Sequence, residues 1–160
     1  MSFDLLDLDA RFQRFEESLE VVSRLLHDKG PVTFGGTFYQ LDGAELVPNP
    51  VTINRIPIVI GGNGPRRTVP LAARFADEWN GVFISRDNYR ERNELLDGLL
   101  AEQGRQPEDV KRTVMTRVIF GKDDAELSER LAGADADELR ASGQIVGTAD
   151  QIAEQLRAWE

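Results

Sequence analysis

The chain has no cysteine. Disulfides, thiolate metal sites and thiol nucleophiles are therefore excluded together. It has a single histidine, His27, and no nucleophile elbow, so a Ser-His-Asp triad would have to be built on that one residue. No apolar run approaches the roughly 20 residues of a membrane span. Positive charge is also scarce: 19 Lys and Arg face 28 Asp and Glu, for a net charge of −9. Nucleic acid and anionic membranes are poor general partners for such a chain. The start, Met1-Ser2-Phe3-Asp4, has no signal-peptide pattern, so a cytoplasmic setting is expected. The 160 residues make one domain, residues 1–160, long enough to bury about two thirds of the unfolded surface.

What is present concentrates in Arg55 to Thr68. The apolar run Ile56-Pro57-Ile58-Val59-Ile60 stops at Gly61-Gly62-Asn63-Gly64, and Pro65-Arg66-Arg67-Thr68 follow before a helical pattern begins. A continuous apolar strand implies burial on both faces, as in a parallel sheet. A strand that empties into a Gly-rich, basic loop ahead of a helix is a natural anion site. Glycine lets the backbone approach a phosphate, and the helix N-terminus adds about half a positive charge. Arg66-Arg67 runs against the sign of the whole chain. Thr68 is the expected N-cap of a helix over Val69 to Asp77, with Pro70 tolerated in its first turn.

The remaining segments read as repeated βα units. Phe12, Phe15, Leu19, Val22, Leu25 and Leu26 have helix spacing from Ala10 to His27, with Asp9 as the expected cap and Gly30-Pro31 as the stop. His27 sits in the last turn and reads as a surface residue favoured by the helix dipole, with an acid or base as the functional alternative. Val32 to Leu41 predicts a hairpin, with Gly35-Gly36 supplying positive φ and Asp42-Gly43 marking a second turn. Phe34, Phe38 and Tyr39 read as a cover over one end of a core, with stacking on a ligand as the other reading. Val47 to Ile56, punctuated by Pro48 and Pro50, is an extended connection. Glu78 to Ile84 predicts a second strand and Asn88 to Gln103 a helix whose apolar face is Tyr89, Leu95, Leu96, Leu99 and Leu100. Arg112 to Phe120 predicts a third strand, placing Arg117 mid-strand, aimed either at a ligand or at a carboxylate. Helices follow over Asp123 to Leu131 and, in part, Ala132 to Ser142. Thr148 and Gln151 form a capping box ahead of the stripe Ile152, Leu156 and Trp159. This order implies an α/β fold with right-handed crossovers.

The runs RFEESLEVVSRLL, VTFGGTFYQLDGAELVPNPV, IPIVIGGNGPRRTVPLAARFADEWN and GQIVGTADQIAEQLRAW together resemble the C-terminal part of the luciferase-like monooxygenase superfamily, most closely its coenzyme F(420)-dependent branch. The resemblance covers nearly the whole chain, and the IGGNGPRRT…AARFADEWN block is its most specific part. It implies a (β/α)8 TIM barrel that binds FMN or coenzyme F(420) and catalyses hydride transfer or flavin-dependent oxygenation of a small-molecule substrate. It assigns Gly61, Gly62, Asn63, Gly64, Arg66, Arg67 and Thr68 to the cofactor phosphate. It puts Asn80 at the ligand end of the next strand, where it serves either a ligand or a structural hydrogen bond.

A complete barrel of this kind takes roughly 250 residues. The expected fold is therefore a partial TIM barrel with a β-hairpin insertion. It lacks the N-terminal half and the final strand, and no catalytic acid or base is assignable. Open parallel edges and bare apolar faces then predict a homo-oligomer. Three functions fit: a luciferase-like oxidoreductase or monooxygenase, a non-catalytic flavin- or phosphate-binding protein, or a purely structural oligomeric fragment.

Overall fold

The computed structural model describes residues 6–48 and 56–159. The connection expected over 47–56 lies largely outside these residues. Helix α1, Leu8–His27, opens the fold. Its N-cap is Asp7, whose side chain accepts from the Ala10 N–H at 2.8 Å, and the expected cap Asp9 lies inside the first turn. Leu19 and Val21 are its buried residues, whereas Val22 is exposed. The predicted stripe is thus rotated, because the helix packs against both α2 and the hairpin. His27 fastens the far end, with Nε2 3.0 Å from the Ile56 carbonyl.

The hairpin pairs β1, Val32–Gly35, with β2, Gln40–Ala44. Its turn is not made by positive φ at Gly35-Gly36, since neither glycine has it. Instead the Glu17 carboxylate of α1 accepts from the N–H groups of Thr37 (2.9 Å), Phe38 (2.8 Å) and Tyr39 (3.3 Å). A Cβ at Gly36 would lie 2.3 Å from Glu17 Oε2, so the glycine is needed for close approach. Burial raises the Glu17 carboxyl, but these backbone donors outweigh it and hold it below the ordinary range. Asp42-Gly43 is not a turn. Gly43, at φ +59, lies inside β2, where the register shifts, as a bulge does.

Three parallel strands form the main sheet, in the order β3 (Val59–Gly61), β4 (Glu78–Val82) and β5 (Lys111–Met115). Helix α2, Thr68–Phe75, and helix α3, Arg86–Glu102, cross between them. Side chains alternate across the sheet. Ile60 and Trp79 point to the helix layer and are 2% and 0% exposed. There they meet Val69, Ala72, Ala76, Leu96 and Leu100. Fully buried alanines let α2 lie close to the sheet, and the Tyr89 ring stacks on Trp79 at 5.3 Å. Arg105 closes α2 by donating to the carbonyls of Ala73 (2.7 Å) and Ala76 (2.9 Å).

The opposite face is open. Val59 is 56% exposed and Met115 47%. The expectation that Ile56 to Ile60 is buried on both faces is therefore wrong, because nothing among the described residues covers the inner side. The predicted third strand is also divided. After β5 the chain turns at Thr116-Arg117, and β6, Val118–Phe120, pairs in parallel with β7, Ile145–Gly147, in a separate sheet. Arg117 thus stands between strands, exposed, rather than mid-strand. Helices α4 (Asp124–Leu131), α5 (Ala136–Ala141) and α6 (Ala149–Arg157) complete the fold, and the Thr148–Gln151 capping box is present. The result is a partial α/β barrel with no closed sheet among the described residues. No helix among them is long and apolar enough to cross a membrane.

Candidate functional site at the end of the parallel sheet

The loop after β3 is shaped by its neighbours rather than by its own contacts. Gly61 pairs with Asn80 in register. The Gly62 N–H donates to the Asn80 carbonyl at 3.0 Å, and the Gly62 carbonyl accepts from the Trp79 indole at 2.8 Å. Gly62 has φ +122, a conformation that only glycine reaches cheaply. Asn63 then hooks the end of β4. Its Nδ2 donates to the Val82 carbonyl (2.6 Å) and its Oδ1 accepts the Val82 N–H (2.9 Å). Arg92 of α3 donates from Nε to the Asn63 carbonyl at 3.1 Å.

Thr68 is the first residue of α2 rather than its N-cap. Arg67 holds the cap position, without a side-chain capping bond. The Val69 N–H donates to the Gly64 carbonyl at 3.0 Å, closing the loop. The N–H groups of Gly64, Arg66, Arg67 and Thr68 meet no acceptor among the described residues. Cβ atoms at Gly62 and Gly64 would come within 3.3 and 3.0 Å of the Thr68 side chain. The two glycines therefore keep the space around Thr68 clear, and bare N–H groups at a helix start suit an anion.

The two arginines part company. Arg67 turns outward to α1, pairing with Asp9, donating to the Leu8 carbonyl at 3.2 Å and lying 4.6 Å over the Phe12 ring. This side chain fastens the loop to α1. Arg66 is exposed, beside a groove of about 480 Å³ between α1 and α2 that Arg67 also lines, and has no ion pair to a described residue. Pairs such as Arg67–Asp9 were not legible beforehand, because they join residues far apart in sequence.

Asn80 stands on the inner face, in one row with Gly61 and Thr113. Its Nδ2 donates to Thr113 Oγ1 at 2.8 Å, and the Thr113 hydroxyl donates to Glu78 Oε1 at 2.8 Å. Lys111 Nζ lies 3.3 Å from Glu78 Oε2. The Thr113 hydrogen bond holds the Glu78 carboxyl below the usual carboxylate range, against burial and with help from Lys111. Period-two patterning alone gave no hint of Thr113 and Lys111 in this cluster, since strand register is a tertiary property. Among the described residues no group of three or more His, Cys, Asp or Glu is arranged to hold a metal.

The same architecture recurs in solved structures. An F(420)-dependent secondary alcohol dehydrogenase in complex with an F(420)–acetone adduct superposes with TM-score 0.78 at 17% identity, over 98% of this chain and 55% of that one. EDTA monooxygenase from Chelativorans sp. BNC1 gives 0.75 at 21% identity, over 97% and 53%. A type II Baeyer–Villiger monooxygenase of Pseudomonas putida, in complex with FMN, gives 0.66 at 17% identity, over 89% and 51%. At these identities the likeness is one of fold, and the chain spans about half the length of each neighbour. A search of curated proteins finds no significant match. The sequence matches the family model of luciferase-like monooxygenases over residues 2–136. With that match covering most of the chain, and with the partial barrel that these neighbours share, the chain belongs to the luciferase-like monooxygenase family.

Proposed function

We propose that this chain supplies the phosphate-binding side of a flavin-type cofactor site, for coenzyme F(420) or FMN, in an oxidoreductase or monooxygenase of the luciferase-like class acting on a small-molecule substrate. One observation carries the reading. The loop Gly61 to Thr68 presents unpaired N–H groups at a helix start, cleared by two glycines and held in shape by Asn63, Trp79 and Arg92.

The residues present fit a phosphate. Gly64 and the start of α2 would bind it through their backbone N–H groups in the space that Gly62 leaves clear, Thr68 would add a hydroxyl, and Arg66 would add charge at the rim. Arg67 would act indirectly, by anchoring the loop to α1. Asn63 would hold the loop rather than touch the ligand. Asn80 would face the ring portion from the inner sheet face. When bound, the cofactor supplies hydride transfer or oxygen chemistry. The chain's own part is to bind and orient it. That two solved neighbours hold an F(420) adduct and FMN supports this choice of cofactor.

The test is to titrate FMN and coenzyme F(420) separately into the purified chain and follow cofactor fluorescence, with inorganic phosphate as competitor. Quenching by either cofactor, relieved by phosphate and weakened in Arg66→Ala, is the expected result. No quenching by either would leave the loop as a plain strand-to-helix turn in a structural fragment. Binding without turnover of reduced nicotinamide or reduced deazaflavin would make the chain a non-catalytic binder.

A second property rests on the open inner face. Val59, Met115, Val118 and Phe120 are each more than 40% exposed there or on the adjoining β6. Apolar exposure of this kind supports self-association that covers the sheet. Sedimentation at micromolar concentration checks it, and a monomer would refute it.

A further inference from the structure

The inner face of the main sheet carries a hydrogen-bond chain whose direction can be read. Gly61, Asn80 and Thr113 lie at one level on adjacent strands, and Glu78 and Lys111 lie one step toward the strand starts. A Cβ at Gly61 would meet nothing nearer than the Val82 side chain at 3.8 Å. Position 61 is thus a bare floor beside Asn80, at the foot of the phosphate loop.

An ionised carboxylate only accepts hydrogen bonds, and the Thr113 bond and Lys111 both favour the ionised form of Glu78. Thr113 has one hydroxyl proton and gives it to Glu78 Oε1. Its oxygen must then receive from Asn80, and only the amide nitrogen has a proton to give. The two ends of the amide are therefore distinguished by the network. The nitrogen faces Thr113, and Oδ1 faces away, with no hydrogen bond to a described residue.

We infer that Asn80 is a specificity-determining residue that requires a hydrogen-bond donor, an imide or amide N–H, on the ring seated over Gly61. Thr113 and Glu78 act as positioning residues that hold its oxygen toward the ligand. A ring edge offering only a carbonyl or an N-methyl there would leave Oδ1 without a partner. This inference rests on the flavin-type reading above and adds what that site reads in the ring.

The experiment compares FMN with 3-methyl-FMN, which has lost the imide N–H, in fluorescence titrations of the wild-type chain, Asn80→Ala and Thr113→Val. An acceptor that the seated ring covers and leaves unpaired predicts that the wild type binds the methylated ligand about tenfold more weakly or worse. Asn80→Ala should bind both ligands alike. Thr113→Val should keep FMN binding but lose most of the preference, because the amide is then free to turn, and its circular dichroism should match the wild type. Equal binding of the two ligands by the wild type, or a full preference retained in Asn80→Ala, would overturn the inference and leave the cofactor reading intact. Failure of both ligands to bind would overturn this inference, and failure of coenzyme F(420) as well would overturn the cofactor reading with it.

Discussion

Replacing Asn63 by alanine tests whether the loop is held from outside itself. The change removes two half-buried hydrogen bonds to Val82, at 2.6 and 2.9 Å. Each is worth about 1 kcal/mol net, and the Val82 backbone groups left behind add about 1 kcal/mol before water repairs them. The expected loss is about 2–3 kcal/mol, or a fall in Tm of roughly 5–10 °C for a chain of this size. Thermal and urea unfolding followed by far-ultraviolet circular dichroism would measure it. Trp79 emission should report the loop separately, since the indole donates to the Gly62 carbonyl. Asn63→Asp sharpens the test. Its carboxylate keeps the acceptor but turns a like partner toward the Val82 carbonyl, so it should be at least as unstable as the alanine variant near neutral pH. Below the ordinary carboxylate range it should recover, because a protonated carboxyl can donate again. A stability within about 0.5 kcal/mol of wild type for Asn63→Ala, the scatter typical of surface changes, would refute the reasoning.

Other substitutions probe separate parts of the frame. Gly62→Ala forces a side chain into φ +122 and against Thr68 at 3.3 Å; it should cost roughly 1–3 kcal/mol in urea unfolding and weaken phosphate competition. Arg105→Ala strips donors from the Ala73 and Ala76 carbonyls at the end of α2 and should cost about 2 kcal/mol, with lysine rescuing it poorly because it lacks the fork. Glu17→Gln weakens the hairpin clamp. The carboxyl is lowered in the fold, so its contribution is full above its unfolded value and is lost as pH falls through the lower folded value. The wild-type advantage over Glu17→Gln in unfolding experiments should therefore shrink below about pH 4.5, and a gap independent of pH would contradict the clamp.

The sequence by itself determined where local chemistry speaks. Leu96 and Leu100 fall inward because their spacing matches a helix turn. Thr148 and Gln151 cap α6 because the capping box is a contact three residues long. Gly62 and Gly64 lie between strand and helix because Gly62 takes φ +122 and a side chain at Gly64 would crowd Thr68. The runs around them carried the family. Only the tertiary structure decided what depends on strangers in sequence. Glu17, not Gly35-Gly36, makes the hairpin turn, and Gly43 is a bulge because β1 lies opposite it. The split of the third strand and the three-residue β7 depend on pairing across the chain, which period-two patterning does not record. Burial on the inner face also depends on what covers it, so Val59 reads as core in sequence and stands exposed here. The anion loop shows both sides. Its glycines and position are local facts, while its shape comes from Asn63, Trp79 and Arg92, and Arg67 is committed to Asp9 of a distant helix. A motif fixes which atoms are available; packing fixes which way they face.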